Sequence, residues 1–244
     1  MKKRYSRILV FVVSVLLIMT VVSASMPVSL DNANNKAKEP LNKITFIHYK
    51  DGTVRAIGGS PKLPTCYKIM GVKWNKLPVS YVINPGSYDT TFVSNAISTS
   101  AETWDASTSK ELFNNKYKLD SSATWDDGTL NPIDYKNEYV FGTYSDNNVI
   151  AVTVIWYTRF GKQIVDYDVL FNTYYKWGDV KIDPTVMDLQ NIATHETGHA
   201  VGLSDLYTQS CSAVTMYGYS TEGETSKRTL EPADITGLQK IYGF

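Results

Sequence analysis

The amino-acid sequence predicts an α+β fold, in which strands and helices occupy separate stretches of the chain. Four segments between residues 78 and 172 read as strands, because they are rich in β-branched and aromatic residues. Three other segments carry apolar residues at helical spacing. The chain has 244 residues, which is enough for one domain with a sizeable core and an N-terminal extension.

The predicted strands cover residues 78–84, 138–143, 149–158 and 163–172. The first alternates in polarity and is rich in β-branched residues, and the third contains a long apolar run. The polar stretch over 107–137 shows no clear period, so we interpret it as an elaborated surface loop.

Three helices are predicted. The first covers 91–104 and packs on the sheet through its apolar face. The second begins at Asp183, with Pro184 at its first position, and ends at Gly202. The last places three apolar residues on one face: Ile235, Leu238 and Tyr242.

Residues 1–24 have the pattern of a secretory signal peptide. Four basic residues precede an apolar stretch over 8–22, and small residues at 22–24 form a cleavage site. An uncleaved membrane anchor is the alternative, but about 15 apolar-rich residues are short for a span, which needs about 20. The sequence therefore predicts a secreted, extracellular protein.

Residues 25–65 are predicted to be a linker or a short pro-segment. The part over 27–43 is polar and rich in lysine and asparagine, which is typical of flexible chain. A hairpin is predicted over 44–57, with its turn at 50–52. His48 lies in this hairpin, and we interpret a lone histidine in a strand as a surface residue rather than a ligand.

The charge balance excludes several classes of partner. Four of the 24 Lys and Arg residues lie in the predicted signal, so the exported chain carries 20 of them against 24 Asp and Glu, a net charge of −4. No basic run suits nucleic acid or anionic lipid, and the exported chain has no second apolar segment long enough to span a membrane. We expect a monomer that is free of the membrane after signal removal.

The most informative motif is H-E-x-x-H, formed by His195, Glu196 and His199. Residues four apart lie on one face of a helix, so both imidazoles can bind one zinc ion at about 2.0–2.1 Å. Glu196 is not a ligand, but it can take a proton from the zinc-bound water, whose pKa the metal lowers towards about 7. The motif is therefore typical of zinc hydrolases.

A catalytic zinc site usually has three protein ligands and leaves the fourth position to water. Gly202 can end the helix with a positive φ, after which the chain can turn back and present Asp205 to the metal. The remaining histidine, His48, lies far upstream. A chance match on a solvated helix is the alternative, and the glycine and carboxylate at these offsets count against it.

The full pattern H-E-x-x-H-x-x-G-x-x-[HD], followed by a methionine turn at Met216, resembles the metzincin zinc endopeptidases. Residues 230–243 resemble the closing helix of the matrixins, and residues 73–83 resemble their first strand. The resemblance spans roughly residues 72–244 and is closest to small secreted microbial matrixin-like proteases.

Two positions depart from the matrixin pattern. Asp205 stands where matrixins have histidine, as in the snapalysins, and Gly218 replaces the usual proline. The resemblance implies a metzincin-like catalytic domain over 66–244, with a twisted mixed β-sheet, two long helices of which one bears the zinc motif, a Met-turn and a C-terminal helix. It also implies an enzyme that hydrolyses polypeptides with one catalytic Zn²⁺ and Glu196 as general base.

The resemblance further indicates where substrate binds. Metzincins hold a peptide as an extra strand on a sheet edge, and 149–155 is the candidate edge, with a buried central strand as the alternative. Tyr217 and Tyr219 could line the substrate pocket or assist the oxyanion, although ordinary packing explains them equally well among 17 tyrosines. The acidic turn at 126–128 could bind Ca²⁺, but an ordinary surface turn has the same composition.

Two interpretations fit the cysteines, Cys66 and Cys211. In matrixins a pro-segment thiolate caps the zinc; Cys66 has a suitable place, but its neighbours match that switch poorly, and only seven residues separate it from Trp74. A disulfide is simpler in an exported protein, and free thiols fit least well. A Cys66–Cys211 bond would brace the loop between Asp205 and Met216 and stabilise the fold by up to about 4–5 kcal/mol.

Two other functions remain open. One is a non-catalytic exported surface or binding protein that retains a structural zinc site, and Glu196 argues against it, because a structural site has no use for a base. The other is a zinc hydrolase for non-peptide amides, which only the family resemblance disfavours. A peptide-cleavage assay separates all three.

Overall fold

The computed structural model describes residues 39–50, 65–129 and 133–244, which belong to one compact unit. The predicted signal peptide, 1–24, lies outside the described residues, as do the turn residues 51–52 and the second strand of the predicted hairpin. Within the described residues, no helix is long and apolar enough to cross a membrane.

The elements, in chain order, are β1 (Leu41–Lys50), β2 (Val82–Ile83), α1 (Thr90–Asp105), β3 (Lys118–Leu119), β4 (Glu138–Gly142), β5 (Val149–Thr158), β6 (Ile164–Asn172), β7 (Trp177–Gly178), β8 (Met187–Asp188), α2 (Leu189–Ala200), β9 (Tyr219–Ser220) and α3 (Pro232–Tyr242).

A mixed sheet of seven strands runs through the described residues in the order β3-β2-β4-β6-β5-β1-β9. β5 is antiparallel to both of its neighbours, β6 and β1, and the other pairs are parallel. α1 and α2 pack on one another and close the main core with the sheet. The α+β class and the metzincin-like arrangement are confirmed.

α1 forms where the apolar spacing predicts it. Asp89 caps its N-terminus by accepting a hydrogen bond of 2.7 Å from the Phe92 N–H. Ile97 is fully buried, which contributes about 1.5–3 kcal/mol. The Trp104 indole N–H donates to the Thr194 carbonyl at 2.8 Å, so α1 is fixed directly to the helix that carries the metal-binding motif.

α2 begins later than predicted. Asp188 is its N-cap and accepts a hydrogen bond of 2.9 Å from the Asn191 N–H. Asp183 instead accepts from the Thr185 N–H at 3.0 Å within a turn, and β8 pairs with β7 before the helix can start. The predicted start at Asp183 is therefore wrong, because a long-range strand pairing overrides a local capping signal.

The end of α2 confirms the prediction for Gly202, whose φ is +100°. The Leu203 N–H donates to the Gly198 carbonyl at 3.0 Å, and the Gly202 N–H donates to the His199 carbonyl at 2.9 Å. These two bonds form a Schellman ending, which satisfies free carbonyls of the helix. A side chain at position 202 would also approach the Val72 carbonyl oxygen, so both backbone angle and space require glycine.

Three strands, β4, β5 and β6, lie within a residue of their predicted bounds. The first predicted strand, 78–84, is reduced to β2 and an isolated bridge between Val79 and Phe113. The stretch over 107–137 is not loop throughout, because β3 lies in it and extends the sheet beside β2. Two-residue strands are too short to produce a recognisable period.

β1 departs most from the predicted N-terminal organisation. Residues 41–43 fall in the predicted linker, yet they are the start of a ten-residue strand. β1 pairs with β5 over nine residue pairs and with β9 over two. β5 is therefore an interior strand in this structure, buried over 149–155, because a segment from the N-terminal region covers its edge.

The predicted disulfide between Cys66 and Cys211 is confirmed, and it joins residues 145 positions apart. Cys211 is buried and packs with Val214 and Tyr217. The bond therefore ties the chain that precedes β2 to the loop between α2 and β9.

Candidate active site

α2 places His195, Glu196 and His199 in the interior, each of them 0% exposed. The two imidazole rings lie one turn apart, with centroids separated by 4.9 Å. The chain returns after Gly202 and brings Asp205 to both rings. Asp205 Oδ1 lies 3.1 Å from His195 Nε2 and 3.3 Å from His199 Nε2. The three residues predicted as ligands are thus in one place.

The hydrogen bonds of the two imidazoles suit a metal ion. His195 Nδ1 donates to the Thr215 carbonyl at 2.7 Å, and His199 Nδ1 donates to the Leu203 carbonyl at 2.9 Å, which leaves both Nε2 atoms facing Asp205. Within the described part of the chain, both Nε2 atoms and Asp205 Oδ1 are buried without a hydrogen-bond partner. Bonds of about 2.0–2.1 Å to one tetrahedral ion would separate its ligand atoms by about 3.3 Å. The residues present therefore fit zinc.

Asp205 is also held from its other side. The Tyr207 hydroxyl donates to Asp205 Oδ2 at 2.9 Å. Burial would raise the pKa of Asp205, but His199 and His195 hold it well below its usual range. Burial lowers the pKa of His195 to about 4, so this ring is neutral at neutral pH. Burial would lower the pKa of His199, but Asp205 raises it above its usual value. The carboxylate and the two Nε2 atoms that face it are a suitable donor set for a divalent cation.

The predicted Met-turn lies under α2. Met216 is buried and packs against Gly198, where any side chain would collide with Met216 and Trp104. Asp234, at the start of α3, accepts from the Thr215 N–H at 2.9 Å and from the Met216 N–H at 3.2 Å. Asp234 thereby fixes the carbonyl that orients the His195 ring. The sequence did not indicate this role, because an acid in the first turn of a helix usually signals only helix capping.

Both carboxylate oxygens of Glu196 are engaged. Oε1 lies 3.1 Å from His48 Nδ1, and Oε2 accepts a hydrogen bond of 2.6 Å from the Thr153 hydroxyl on β5. Burial raises the pKa of Glu196. Neither contact could be read from the sequence, since each joins residues from distant parts of the chain.

His48 is not the surface residue that the sequence predicted. It is 1% exposed and belongs to the same cluster, with its ring centroid 4.0 Å from that of His195. Its Nε2 lies 3.0 Å from Ser220 Oγ. Phe46, two residues earlier, stacks on His199 at 3.9 Å with an interplanar angle of 7°. The spacing of residues 44, 46 and 48 indicates that their side chains share one face of a strand, but the residues that they contact were not predictable.

Tyr217 and Tyr219 border a cavity of about 270 Å³ that opens between the Met-turn and the segment over 220–227. Tyr217 is almost buried, and its hydroxyl donates to Gln209 Oε1 at 3.2 Å. The two tyrosine rings contact one another edge to face, with centroids 5.6 Å apart. Both tyrosines therefore take part in packing and also line a cavity.

A second group of carboxylates lies on the sheet face that is opposite the main core. Glu138 on β4 is the register partner of Asp168 on β6, and Asp166 lies two residues earlier on that strand. Burial raises the pKa values of these three carboxyls, to about 7 for Glu138, about 8 for Asp166 and about 10 for Asp168. Within the described residues, each has one buried oxygen without a hydrogen-bond partner.

The predicted calcium turn adjoins this group. The Asp126 N–H donates to Asp168 Oδ2 at 2.8 Å, and Asp126 itself is almost buried. Lys136 Nζ is 4.0 Å from Glu138 Oε1 and is largely exposed. The acidic turn at 126–128 was recognisable in the sequence, but the strand carboxylates were not, because apolar residues lie between them.

A comparison with protein families agrees with this geometry. The Peptidase_M10 (Matrixin) model matches residues 73–243, which covers both histidines, Asp205, the Met-turn and α3. No curated protein matches the chain significantly. The match covers well over half of the chain, so the protein belongs to the matrixin family of zinc metalloendopeptidases.

Proposed function

We propose that His195, His199 and Asp205 bind the single catalytic zinc of this peptidase. The observation that carries the proposal is the convergence of three buried atoms that lack any other partner in the described chain. Asp205 replaces the third histidine of typical matrixins, in the manner of the snapalysins. When bound, zinc polarises the scissile carbonyl and makes a water molecule acidic enough to react at neutral pH.

Glu196 is the proposed general base. Its carboxylate accepts a proton from the attacking water and later delivers that proton to the nitrogen of the leaving amine. The residue lies beside His195 but is not needed to hold the ion. A buried carboxylate is costly, and a purely structural zinc site offers no reason to keep one there. The presence of Glu196 therefore disfavours the alternative of a non-catalytic zinc-binding protein.

The acidic ligand changes the charge of the site. With Asp205 ionised, the ligands and zinc carry a net charge of +1 rather than the +2 of a three-histidine site. A less positive site acidifies water less strongly, so proton removal by Glu196 becomes more important.

Substrates are polypeptides, and the cavity beside Tyr217 and Tyr219 is the proposed pocket for one substrate side chain. The predicted signal peptide and the disulfide together support a secreted enzyme, since disulfides persist in oxidising compartments. We propose that it acts as a monomer.

We also propose a structural Ca²⁺ beside β4 and β6. Asp166 and Asp168 are buried, and their unpartnered oxygens are hard ligands of the kind that Ca²⁺ prefers. Glu138 and the turn at 126–128 would complete the oxygen shell.

Metal analysis and digestion of a labelled unfolded protein test this function. Both use the exported chain after a cut between Lys50 and Cys66, which separates the predicted pro-segment from the catalytic domain. We expect one zinc per chain and digestion. Glu196→Gln should keep fold and zinc but lose about 10²–10⁴-fold in rate, whereas Glu111→Gln, an exposed matched control, should lose nothing. Asp205→Ala should lose zinc. A cut wild-type chain that binds zinc and digests nothing would favour the binding-protein function.

A further inference from the structure

The groove between β5 and β9, beside α2, is already filled by a peptide strand, and this strand is part of the same chain. β1 lies between β5 and β9 and forms main-chain pairs with both. The Lys50 N–H donates to the Asn148 carbonyl at 2.8 Å, and the Tyr49 N–H contacts the Gly218 carbonyl at 3.3 Å. A sheet edge accepts one strand at a time, so β1 and a bound peptide exclude one another along β5.

The side chains of β1 alternate between two environments. Phe46 and His48 point towards α2 and contact the rings of His199 and His195. Ile47 points to the other face of the sheet and packs with a second core cluster, which includes Val152. Thr45 is exposed. The strand therefore lies directly over the metal-binding residues, along the sheet edge where the family resemblance places an extended substrate.

His48 makes the contact that would block catalysis. It lies between Glu196 Oε1, at 3.1 Å, and Ser220 Oγ, at 3.0 Å. The Thr153 hydroxyl already occupies the other oxygen of Glu196. Each carboxylate oxygen keeps a second lone pair, but the His48 ring occupies the side of Oε1 at which a water molecule would otherwise approach the proposed general base.

We infer that β1 is an internal occupant of the substrate groove, that His48 latches it onto Glu196, and that β1 must leave before a polypeptide can bind. The inference rests on the proposed function of Glu196 and deepens it, because it names what controls access to the site. The groove between β5 and β9 is accordingly a surface for one extended peptide strand.

The position of the disulfide allows such a release. The covalent connection from β1 to the rest of the described domain runs through residues 51–65 to Cys66. Cys66 is bonded to Cys211, so a cut between Lys50 and Cys66 frees β1 but leaves the new N-terminus attached to the domain. The strand that blocks the site and the disulfide that stabilises the domain thus lie in different parts of the N-terminal region.

The expected degree of inhibition follows from the covalent linker that joins β1 to the rest of the domain. A short linker gives an effective concentration of about 1 mM. If the free strand binds with a Kd of about 10 µM, the groove is occupied about 99% of the time, and cutting should raise the digestion rate by roughly 100-fold.

The first test is binding of a labelled peptide with the sequence of residues 39–50. The exported chain is given a specific protease site within 51–64, cut after folding, and freed of its own strand. We expect the peptide to bind the cut protein by fluorescence anisotropy, with zinc and also after chelation. His48→Ala in the peptide should weaken binding by about 10- to 100-fold, since it removes a hydrogen bond to a charged group. Thr45→Ala in the peptide is the matched control and should change the binding affinity by less than about 2-fold.

The second test is digestion of a labelled unfolded protein by the uncut and cut chains. We expect the uncut chain to be slow, His48→Ala to raise its rate, and the peptide to inhibit the cut protein competitively. Failure of the peptide to bind, or digestion at the same measurable rate before and after cutting, overturns the inference and leaves the proposed function standing. Peptide binding without any digestion after cutting refutes the proposed function alone.

Discussion

Asp234 offers the most direct test of how the fold supports the metal-binding residues. Its carboxylate is 0% exposed and accepts three backbone N–H bonds, from Thr215 at 2.9 Å, Glu231 at 3.0 Å and Met216 at 3.2 Å. The Thr215 carbonyl in turn accepts from His195 Nδ1. Asp234 does not contact the proposed zinc site, yet it holds the peptide unit that orients one ligand.

The expected magnitude follows from the number of donors lost. Leaving a buried donor without a partner costs about 1–3 kcal/mol, so Asp234→Ala should lower the free energy of unfolding by about 3–5 kcal/mol after relaxation. Asp234→Asn keeps one acceptor oxygen and should cost about half as much. Because the His195 ring loses its fixed orientation, zinc affinity should fall by about 10- to 100-fold in both variants.

Urea unfolding measures the stability, and a chelator competition titration measures zinc affinity. The matched control is Thr236→Ala, an exposed position in the same helix, which should change neither quantity appreciably. If Asp234→Asn is destabilised but binds zinc as tightly as the wild type, Asp234 supports only α3 and the link to the His195 ring is refuted.

Three further outcomes are expected. Thr153→Val should lower kcat by about 10-fold with little change in KM, and Thr153→Ser should restore it, because the hydroxyl rather than the methyl group orients Glu196; steady-state kinetics on the cut enzyme decide this. Replacing Cys66 and Cys211 together with serine should lower stability in urea by up to about 4–5 kcal/mol, whereas an unchanged midpoint would contradict a structural role. Added Ca²⁺ should raise the Tm of the wild type but not of Asp168→Asn, and an equal rise in both would exclude the proposed calcium site.

Local patterns in the sequence predicted those parts of the site that are themselves local. His195, Glu196 and His199 lie within two turns of one helix, and Asp205 follows after a glycine whose positive φ the pattern demands. The bounds of α1, β4, β5 and β6 were likewise predictable from apolar spacing. Each of these features depends on neighbours a few residues away along the chain.

The remaining features depend on contacts that no local pattern encodes. The start of α2 was misplaced because Asp183 and Asp188 are both good caps, and only the β7–β8 pairing decides between them. His48 and Thr153 approach Glu196 from different strands, at sequence separations of 148 and 43. Their roles emerge only when the order of strands in the sheet is known.

These long-range contacts also show how the site can be both preorganised and closed. The Thr215 carbonyl orients His195, and the Thr153 hydroxyl holds Glu196 Oε2; both belong to the catalytic domain and stay when β1 leaves. Among the described residues outside that domain, His48 is the one that bonds Glu196 Oε1. Removing β1 therefore frees one oxygen of the general base while the other oxygen and the ligand ring remain fixed. On this argument, activation requires no rearrangement of α2, and the zinc affinities of the cut and uncut chains should be equal.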